Sequence, residues 1–249
     1  MPKISVVLIT FNEEKNLPAT LQAVSPVADE IVILDSFSSD STRQIAERFG
    51  AKFFQQVFDG YGKQKNDALR LAQNDWILSI DADEVLTPQL QNELMQFKNS
   101  AASASAFRIG RRNHYCGKFI RHCGWYPDKA VRLFDRRFFC WSSSLVHEVV
   151  IPCSDEASSR IGELTGELNH YTYSSVENHK SKALHFAAQA AREKQSKGKS
   201  PSFCLACVKA AARFFRTYFL KLGFLDGYFG FVISQMAAVY AFHKYYWVK

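Results

Sequence analysis

Residues 76–84, Trp-Ile-Leu-Ser-Ile-Asp-Ala-Asp-Glu, constrain the fold more than any other stretch. Trp76 to Ile80 is a nearly unbroken apolar run that reads as a buried strand. Three acids follow in four positions: Asp81, Asp83 and Glu84. Clustered carboxylates at the end of a buried strand commonly serve a divalent cation that holds a phosphorylated ligand. Mg²⁺ and Mn²⁺ prefer carboxylate oxygens and keep positions open for substrate phosphates. The plainer alternative is helix capping. The next helix has its own start signal, with Thr87 as cap and Pro88 at its first position, so capping leaves Asp81 and Asp83 unaccounted for. An Asp-x-Asp alone is common by chance, and the rest of the chain has to decide.

Upstream, short strands and helices alternate. Ile4–Thr10 is a β-branched run suited to a central parallel strand. Asn16 is positioned to cap a short helix with Leu17, Leu21 and Val24 on one face. Ile31–Leu34 is a second strand ending in Asp35. The helix through Ile45 stops at Gly50. Lys52–Phe58 is a third strand, and residues 63–73 form the next helix. This alternation predicts an α/β, doubly wound, mostly parallel sheet, in which ligands sit outside the carboxyl ends of the strands near a switch point. Thr10, Asp35 and Asp81 all fall at such ends. Beyond residue 100, Phe107–Ile109, Val131–Phe134 and Val146–Val150 are strand-like with no helix between them, which predicts an antiparallel second half. Residues 174–198 form a polar helix, residues 197–201 a break, and the chain from Phe203 onward is helical and aromatic.

Charge divides the same way. Residues 171–249 carry 12 Lys/Arg and 3 Asp/Glu, a net of +9; residues 1–170 carry 19 and 21, a net of −2. The basic character therefore belongs to the tail, where an anionic membrane surface is the favoured partner. Nucleic acid is disfavoured, because the aromatic tail contains no recognised nucleic-acid motif. The six cysteines are scattered and do not form a disulfide framework. Cys204-x-x-Cys207 lies in an apolar helical stretch without a second ligand pair. A reducing, cytoplasmic setting follows.

Several segments together resemble the family-2 inverting glycosyltransferases with the GT-A fold. They are Ser5–Glu14, Asp35 with Ser39-Asp40-Ser41-Thr42, Gly62–Ala68, and Asp81-Ala82-Asp83-Glu84. Trp125-Tyr126-Pro127-Asp128, Arg132-Leu133-Phe134, Val146-His147-Glu148, His170–Tyr173 and Tyr218–Gly227 narrow the resemblance to bacterial lipopolysaccharide inner-core glucosyltransferases. Two departures are Asp35-Ser36, where many relatives have two consecutive acids, and Phe37, where glycine is commoner. The resemblance implies a GT-A catalytic domain over residues 1–173, with a nucleotide-binding half and an antiparallel acceptor half. A helical tail over 174–249 would associate with membrane or with another copy of the chain.

It also implies transfer of a hexose, glucose in the first instance, from a UDP-sugar to a lipopolysaccharide inner-core hydroxyl on heptose, at the inner face of the inner membrane. Such transfer must offset charge on the leaving diphosphate and activate a poorly nucleophilic hydroxyl. A Mg²⁺ or Mn²⁺ ion held by Asp83, with Asp81 on the metal or the ribose, meets the first need. A single general base meets the second; the resemblance places it at Glu148, with Asp128 as the other candidate. His170 is a candidate for completing the metal site, or else a structural histidine. Asp35 would accept from the uracil N–H or the ribose, or cap its own turn. Thr10, Asn12 and Glu13 would line the nucleotide pocket. Lys65 and Asn66 would reach the base or phosphates, or remain solvated on their helix. Arg111, Arg112, Arg121 and Arg132 are candidates for acceptor phosphates.

Rival readings are a polyprenyl-phosphate glycosyltransferase of the same family and a non-catalytic nucleotide- or carbohydrate-binding protein. In the tail, Lys209, Arg213, Arg216 and Lys221 recur at helical spacing among aromatics. That spacing predicts one cationic face on a helix lying in a membrane interface, with packing or oligomerisation as the alternative. The uncharged run 228–242 is shorter than the roughly 20 residues a spanning helix needs.

Overall fold

A computed structural model of the chain describes residues 1–100, 102–142, 148–153, 160–196, 198 and 200–246, and of Glu193 the backbone alone. The chain separates into two units, Met1–Arg111 with Asp128–His170, and Arg112–Pro127 with Tyr171–Lys249. Residues 112–127, which the sequence reading puts in the first domain, thus group with the C-terminal helices.

In the first unit β1 (Ile4–Thr10), β2 (Glu30–Asp35), β3 (Lys52–Gln55) and β4 (Trp76–Ser79) are parallel neighbours in the order β3-β2-β1-β4. Helices α1 (Leu17–Val24), α2 (Thr42–Arg48) and α3 (Tyr61–Leu71) connect them. Strand alternation sends successive side chains to opposite faces. Ile4, Val6 and Leu8 pack with Leu17, Leu21, Val24 and Ala46 on one face, while Val7, Val32 and Ile77 pack with Ala68 and Leu69 on the other. Both faces are covered, as the apolar runs demand. The chain winds outward from β1 to β3 and returns to β4 on the far side of β1, so the switch point lies between β1 and β4.

The sheet then becomes antiparallel. It continues through β8 (Asp128–Asp135), β6 (Ala106–Tyr115), β11 (Ile161–Tyr173) and β5 (Glu84–Leu86). A separate hairpin pairs β9 (Phe139–Trp141) with β10 (Val150–Pro152). Parallel strands leading into an antiparallel half match the GT-A expectation.

Local starts and stops adjust the sequence reading. Thr87 accepts from the Leu90 N–H at 3.3 Å and opens α4 (Pro88–Lys98). Asn16 occupies the cap position of α1 but makes no capping bond; its amide donates to Glu13 Oε2 at 2.8 Å instead. Strand β3, at the sheet edge, ends at Gln55 rather than Phe58; the Gln56 N–H makes a last bond to the Asp35 carbonyl at 2.9 Å, and its side-chain amide donates to Asp67 at 2.8 Å. Helix α3 starts at Tyr61, directly after Gly60 at φ +94°, a conformation glycine tolerates best. Glu84 opens β5. Of the expected strand 146–150, Val146 and His147 lie outside the described residues, and Glu148 and Val149 precede β10 without being part of it.

In the second unit β7 (Lys118–Phe119) turns back on the end of β6, followed by α5 (Val176–Ser196), α6 (Phe203–Phe215) and α7 (Tyr228–Tyr246). Tyr115, Ile120, Val232, Ile233 and Met236 form its core with Trp125 and Tyr173 around them. His179 is buried there, its Nδ1 3.1 Å from the Tyr115 hydroxyl. Burial, and then the Lys182 charge, lower its pKa to about 4. The cationic helix expected over 209–221 is present, but it changes pitch within its length and stops at Lys221. Helix α6 ends at Phe215, a π-helical turn spans Arg216–Leu220, and Leu222 reverses the chain at φ +54°. Gly230 then passes so close to Gly223 that a Cβ on Gly230 would lie 1.8 Å from the Gly223 carbonyl oxygen. Among the described residues, no helix is long and apolar enough to cross a membrane.

Candidate active site

The loops after β1 and β2 are fastened together. Thr10 and Asp35 pair across the strand ends, and the Thr10 hydroxyl donates to Asp35 Oδ1 at 2.8 Å. Asp35 is fully buried; its other oxygen accepts the Ser38 N–H at 2.7 Å. Its carboxylate thus holds the turn 35–38, the capping alternative of the sequence reading. Asn12, at φ +55°, accepts the Ser39 N–H at 2.9 Å, and its own N–H donates to Ser38 Oγ at 2.7 Å. The Glu13 N–H donates to Thr42 Oγ1 at 2.8 Å. Phe37 has φ +60°, which explains why glycine is natural at this position. Phe11 and Phe37 are both exposed beside this clasp.

Past β4 the charged residues form one alternating chain within the first unit. Glu148 Oε1 lies 3.0 Å from Lys65 Nζ, which lies 3.1 Å from Asp81 Oδ1. Asp81 Oδ2 lies 2.8 Å from Arg132 Nη2, which also reaches Glu84 Oε1 at 2.6 Å. Glu84 Oε1 lies 3.2 Å from Arg111, and Arg111 holds Asp128 Oδ2 at 2.8 Å. The two candidate bases, Glu148 and Asp128, stand at its two ends. Burial by itself would raise the Asp81 carboxyl, but Arg132 and Lys65 outweigh it and hold it far below the usual carboxylate range. Lys65 is buried and lies over the Trp141 ring, 4.3 Å from its centre. Burial, then the charges of Glu148 and Asp81, raise the Tyr61 phenol, so its half-exposed ring shares their surroundings.

Three expectations change. Arg132 is 3% exposed and spent on two carboxylates, so it is not positioned for acceptor phosphates. Asn66 does not point to a ligand: its oxygen accepts the Trp141 N–H at 2.9 Å and its NH₂ donates to the Trp141 carbonyl at 2.8 Å. Lys65 is an internal counter-ion rather than a solvated helix residue. Glu84, not singled out from its two neighbours in the sequence, proves the most buried acid of the three; its Oε2 also accepts the Asp81 N–H at 3.0 Å.

Asp83 and His170 come together because β5 pairs with β11, with His170 opposite Glu84. His170 Nε2 lies 3.4 Å from Asp83 Oδ2. Among the described residues, no three of His, Cys, Asp and Glu converge as a metal cage, and both Asp81 oxygens are paired to cations. The donor set is therefore one carboxylate and one imidazole. It fits an ion of the Mg²⁺ or Mn²⁺ kind, which takes one or two protein carboxylates and draws its remaining ligands from substrate phosphates and water.

Residues 5–147 match the family model described as Glycosyl transferase family 2. The chain is similar to an uncharacterized glycosyltransferase of Rickettsia bellii, 31% identical over 95% of this chain and 82% of that protein. It is also similar to the lipopolysaccharide core biosynthesis glycosyltransferase LpsC of Rhizobium meliloti, 28% identical over 97% of this chain and 91% of that protein. Among solved structures it resembles glucosyl-3-phosphoglycerate synthase from Mycobacterium tuberculosis, in complex with Mn²⁺, UDP and phosphoglyceric acid. That likeness is 26% identical, covers 47% of this chain and 44% of the other, and has a TM-score of 0.37.

Proposed function

Because the chain belongs to glycosyl transferase family 2, we propose that it moves a hexose, glucose in the first instance, from a UDP-sugar to a heptose hydroxyl of a lipopolysaccharide inner core, with inversion. The observation that carries this reading is the alternating ion-pair chain beside the β1/β4 switch point, with Glu148 at its end and the Asp83–His170 pair nearby. Glu148 takes the proton from the acceptor hydroxyl as it attacks, and Lys65 sets its position. Asp128 is the alternative base; its clamp by Arg111 through both Nε and Nη2 favours a shaping role. Asp83 and His170 would hold Mg²⁺ or Mn²⁺, which offsets charge on the departing diphosphate. Thr10, Asn12, Glu13 and Asp35 build the clasp that shapes the nucleotide pocket, and the exposed Phe11 and Phe37 rings offer the base an apolar surface. The lipopolysaccharide acceptor is supported by the similarity to LpsC along nearly the whole of both chains. A lipid-linked acceptor places the work at the cytoplasmic face of the inner membrane, which suits the basic, aromatic tail.

The test is a screen of UDP-sugars against deacylated inner-core oligosaccharide, with and without Mg²⁺ or Mn²⁺, and product linkage and anomeric configuration read by NMR. Metal-dependent formation of one inverted glycoside is expected. UDP-sugar binding without transfer to any inner-core acceptor would leave a nucleotide-binding protein and overturn the reading.

A further inference from the structure

The stretch between the middle of α6 and the start of α7 is chemically one-sided. Leu220 is 67% exposed, Leu225 55% and Phe219 47%, and Phe215, Leu222, Phe224 and Tyr228 are exposed with them. A globular surface rarely leaves so many large apolar side chains in water in so short a stretch. Lys209, Arg213, Arg216 and Lys221 are exposed in the same stretch and make no ion pair among the described residues. From residue 203 to 246 the one acid is Asp226, which is buried and accepts the Arg121 and His122 N–H groups at 3.3 and 2.8 Å. That surface therefore presents cations and apolar groups with no exposed carboxylate. Along α6 and α7 themselves runs an apolar groove of about 770 Å³ lined by Ala210, Ala211, Phe214, Ala238, Val239 and Phe242.

We propose that the α6–α7 turn, residues 215–228, inserts as a wedge into one leaflet of an anionic phospholipid membrane, with Lys209, Arg213, Arg216 and Lys221 as its headgroup contacts. This rests on the membrane-side reading above and changes its geometry. The inserted element is the exposed apolar turn around the reversal at Leu222, rather than the length of one helix lying flat. Charge complementarity selects the occupant. Anionic headgroups match the unpaired cations and acyl chains match the leucines and phenylalanines, whereas a second copy of the chain would set the same cations against each other. The Gly223–Gly230 approach gives the turn a fixed base, because no larger residue allows the two segments to meet there.

The experiment is co-sedimentation of the full chain with sucrose-loaded vesicles of phosphatidylcholine alone or mixed with phosphatidylglycerol. The parent is expected to pellet with the anionic vesicles at low salt and to keep a measurable fraction bound at high salt, since the apolar tip is not screened. Each cation near an anionic surface is worth roughly a fivefold gain. Reversing all four to Glu therefore lowers binding by on the order of 10² or more. Leu220→Ser/Leu225→Ser keeps the cations and should bind at low salt but release fully at high salt. Circular dichroism and UDP binding by calorimetry check that each variant is folded. A parent that stays in the supernatant with anionic vesicles, or a Leu220→Ser/Leu225→Ser protein with the parent's salt response, overturns the wedge. So does sedimentation velocity showing a parent dimer that this variant makes monomeric without any vesicle binding. Transfer to the deacylated, water-soluble acceptor reads the enzymatic proposal separately, because it needs no membrane.

Discussion

Glu84→Gln isolates what the buried ion-pair chain does for the fold. Glu84 is fully buried and holds three groups: Arg132 at 2.6 Å, Arg111 at 3.2 Å and the Asp81 N–H at 3.0 Å. Glutamine keeps the shape and one acceptor oxygen, but removes the charge and turns an NH₂ toward donors. Breaking a buried pair by neutralising one partner costs about 3–5 kcal/mol, because the other charge is left buried without its counter-ion. Arg132 keeps Asp81 and Arg111 keeps Asp128, so the lower end applies, about 3 kcal/mol. At an m-value of about 3 kcal/mol per molar in urea, the unfolding midpoint drops by about 1 M. Arg132→Met alone should cost a similar amount, since it takes one of two cations from each of Glu84 and Asp81, leaving them Arg111 and Lys65. The double variant should cost less than the sum of the two by more than about 1 kcal/mol, the mark of residues that share one interaction. Urea titrations of the four proteins, followed by tryptophan fluorescence, give the cycle. A single-variant loss under about 1 kcal/mol, or additivity of the two, would refute the claim that these charges are desolvated and coupled.

Glu148→Gln should retain donor binding and lower turnover by roughly 10²–10⁴, the range for a lost general base; parent turnover in that variant would move the role to Asp128. Asp83→Ala should abolish the Mg²⁺ or Mn²⁺ dependence of UDP binding in calorimetry while leaving the circular dichroism spectrum unchanged, and metal-stimulated binding equal to the parent's would show that the ion sits elsewhere. His179 gives a pH signature. Its folded pKa of about 4 lies below the ordinary 6.5, so between those values the unfolded chain binds more protons, and stability falls as pH drops through that window by about 3 kcal/mol. Urea midpoints at pH 7.5 and 4.5 should differ less in His179→Phe than in the parent, and an equal acid loss in both would acquit this histidine.

The parallel half is legible in the sequence because its strands are buried on both faces and their apolar runs are uninterrupted. The Thr87-Pro88 start of α4 is legible for a local reason too, a side chain capping an N–H three residues away. The carboxylate chemistry is readable as a cluster but not as a wiring plan. Arg132 looks like any other arginine until β4 and β8 pair antiparallel and carry it to Asp81 and Glu84, about fifty residues back in the chain. One signal was available: Arg132 stands inside the apolar run Val131–Phe134, where a charge must find a buried partner. His170 is reached by register in the same way, through the β5–β11 pairing. The change from α- to π-helical pitch at Arg216 and the exit after Leu220 carry no glycine or proline signal before Gly223, so helical spacing alone does not show where the cationic helix stops.

Asn66 has a further consequence. Its amide meets both the N–H and the carbonyl of Trp141, so a side chain plays the part of a neighbouring strand for one residue of the hairpin that leads to Glu148. Helix α3 thereby acts as a template edge for β9, and the side chain that can do this is narrowly specified. Aspartate matches the shape but offers two acceptors, so it repels the Trp141 carbonyl. Leucine matches the bulk and offers neither partner. Glutamine has the right group on an arm one carbon too long. The position is therefore a one-letter instruction within the hairpin's assembly code: a change of a single atom type, oxygen for nitrogen, turns a peptide mimic into its opposite.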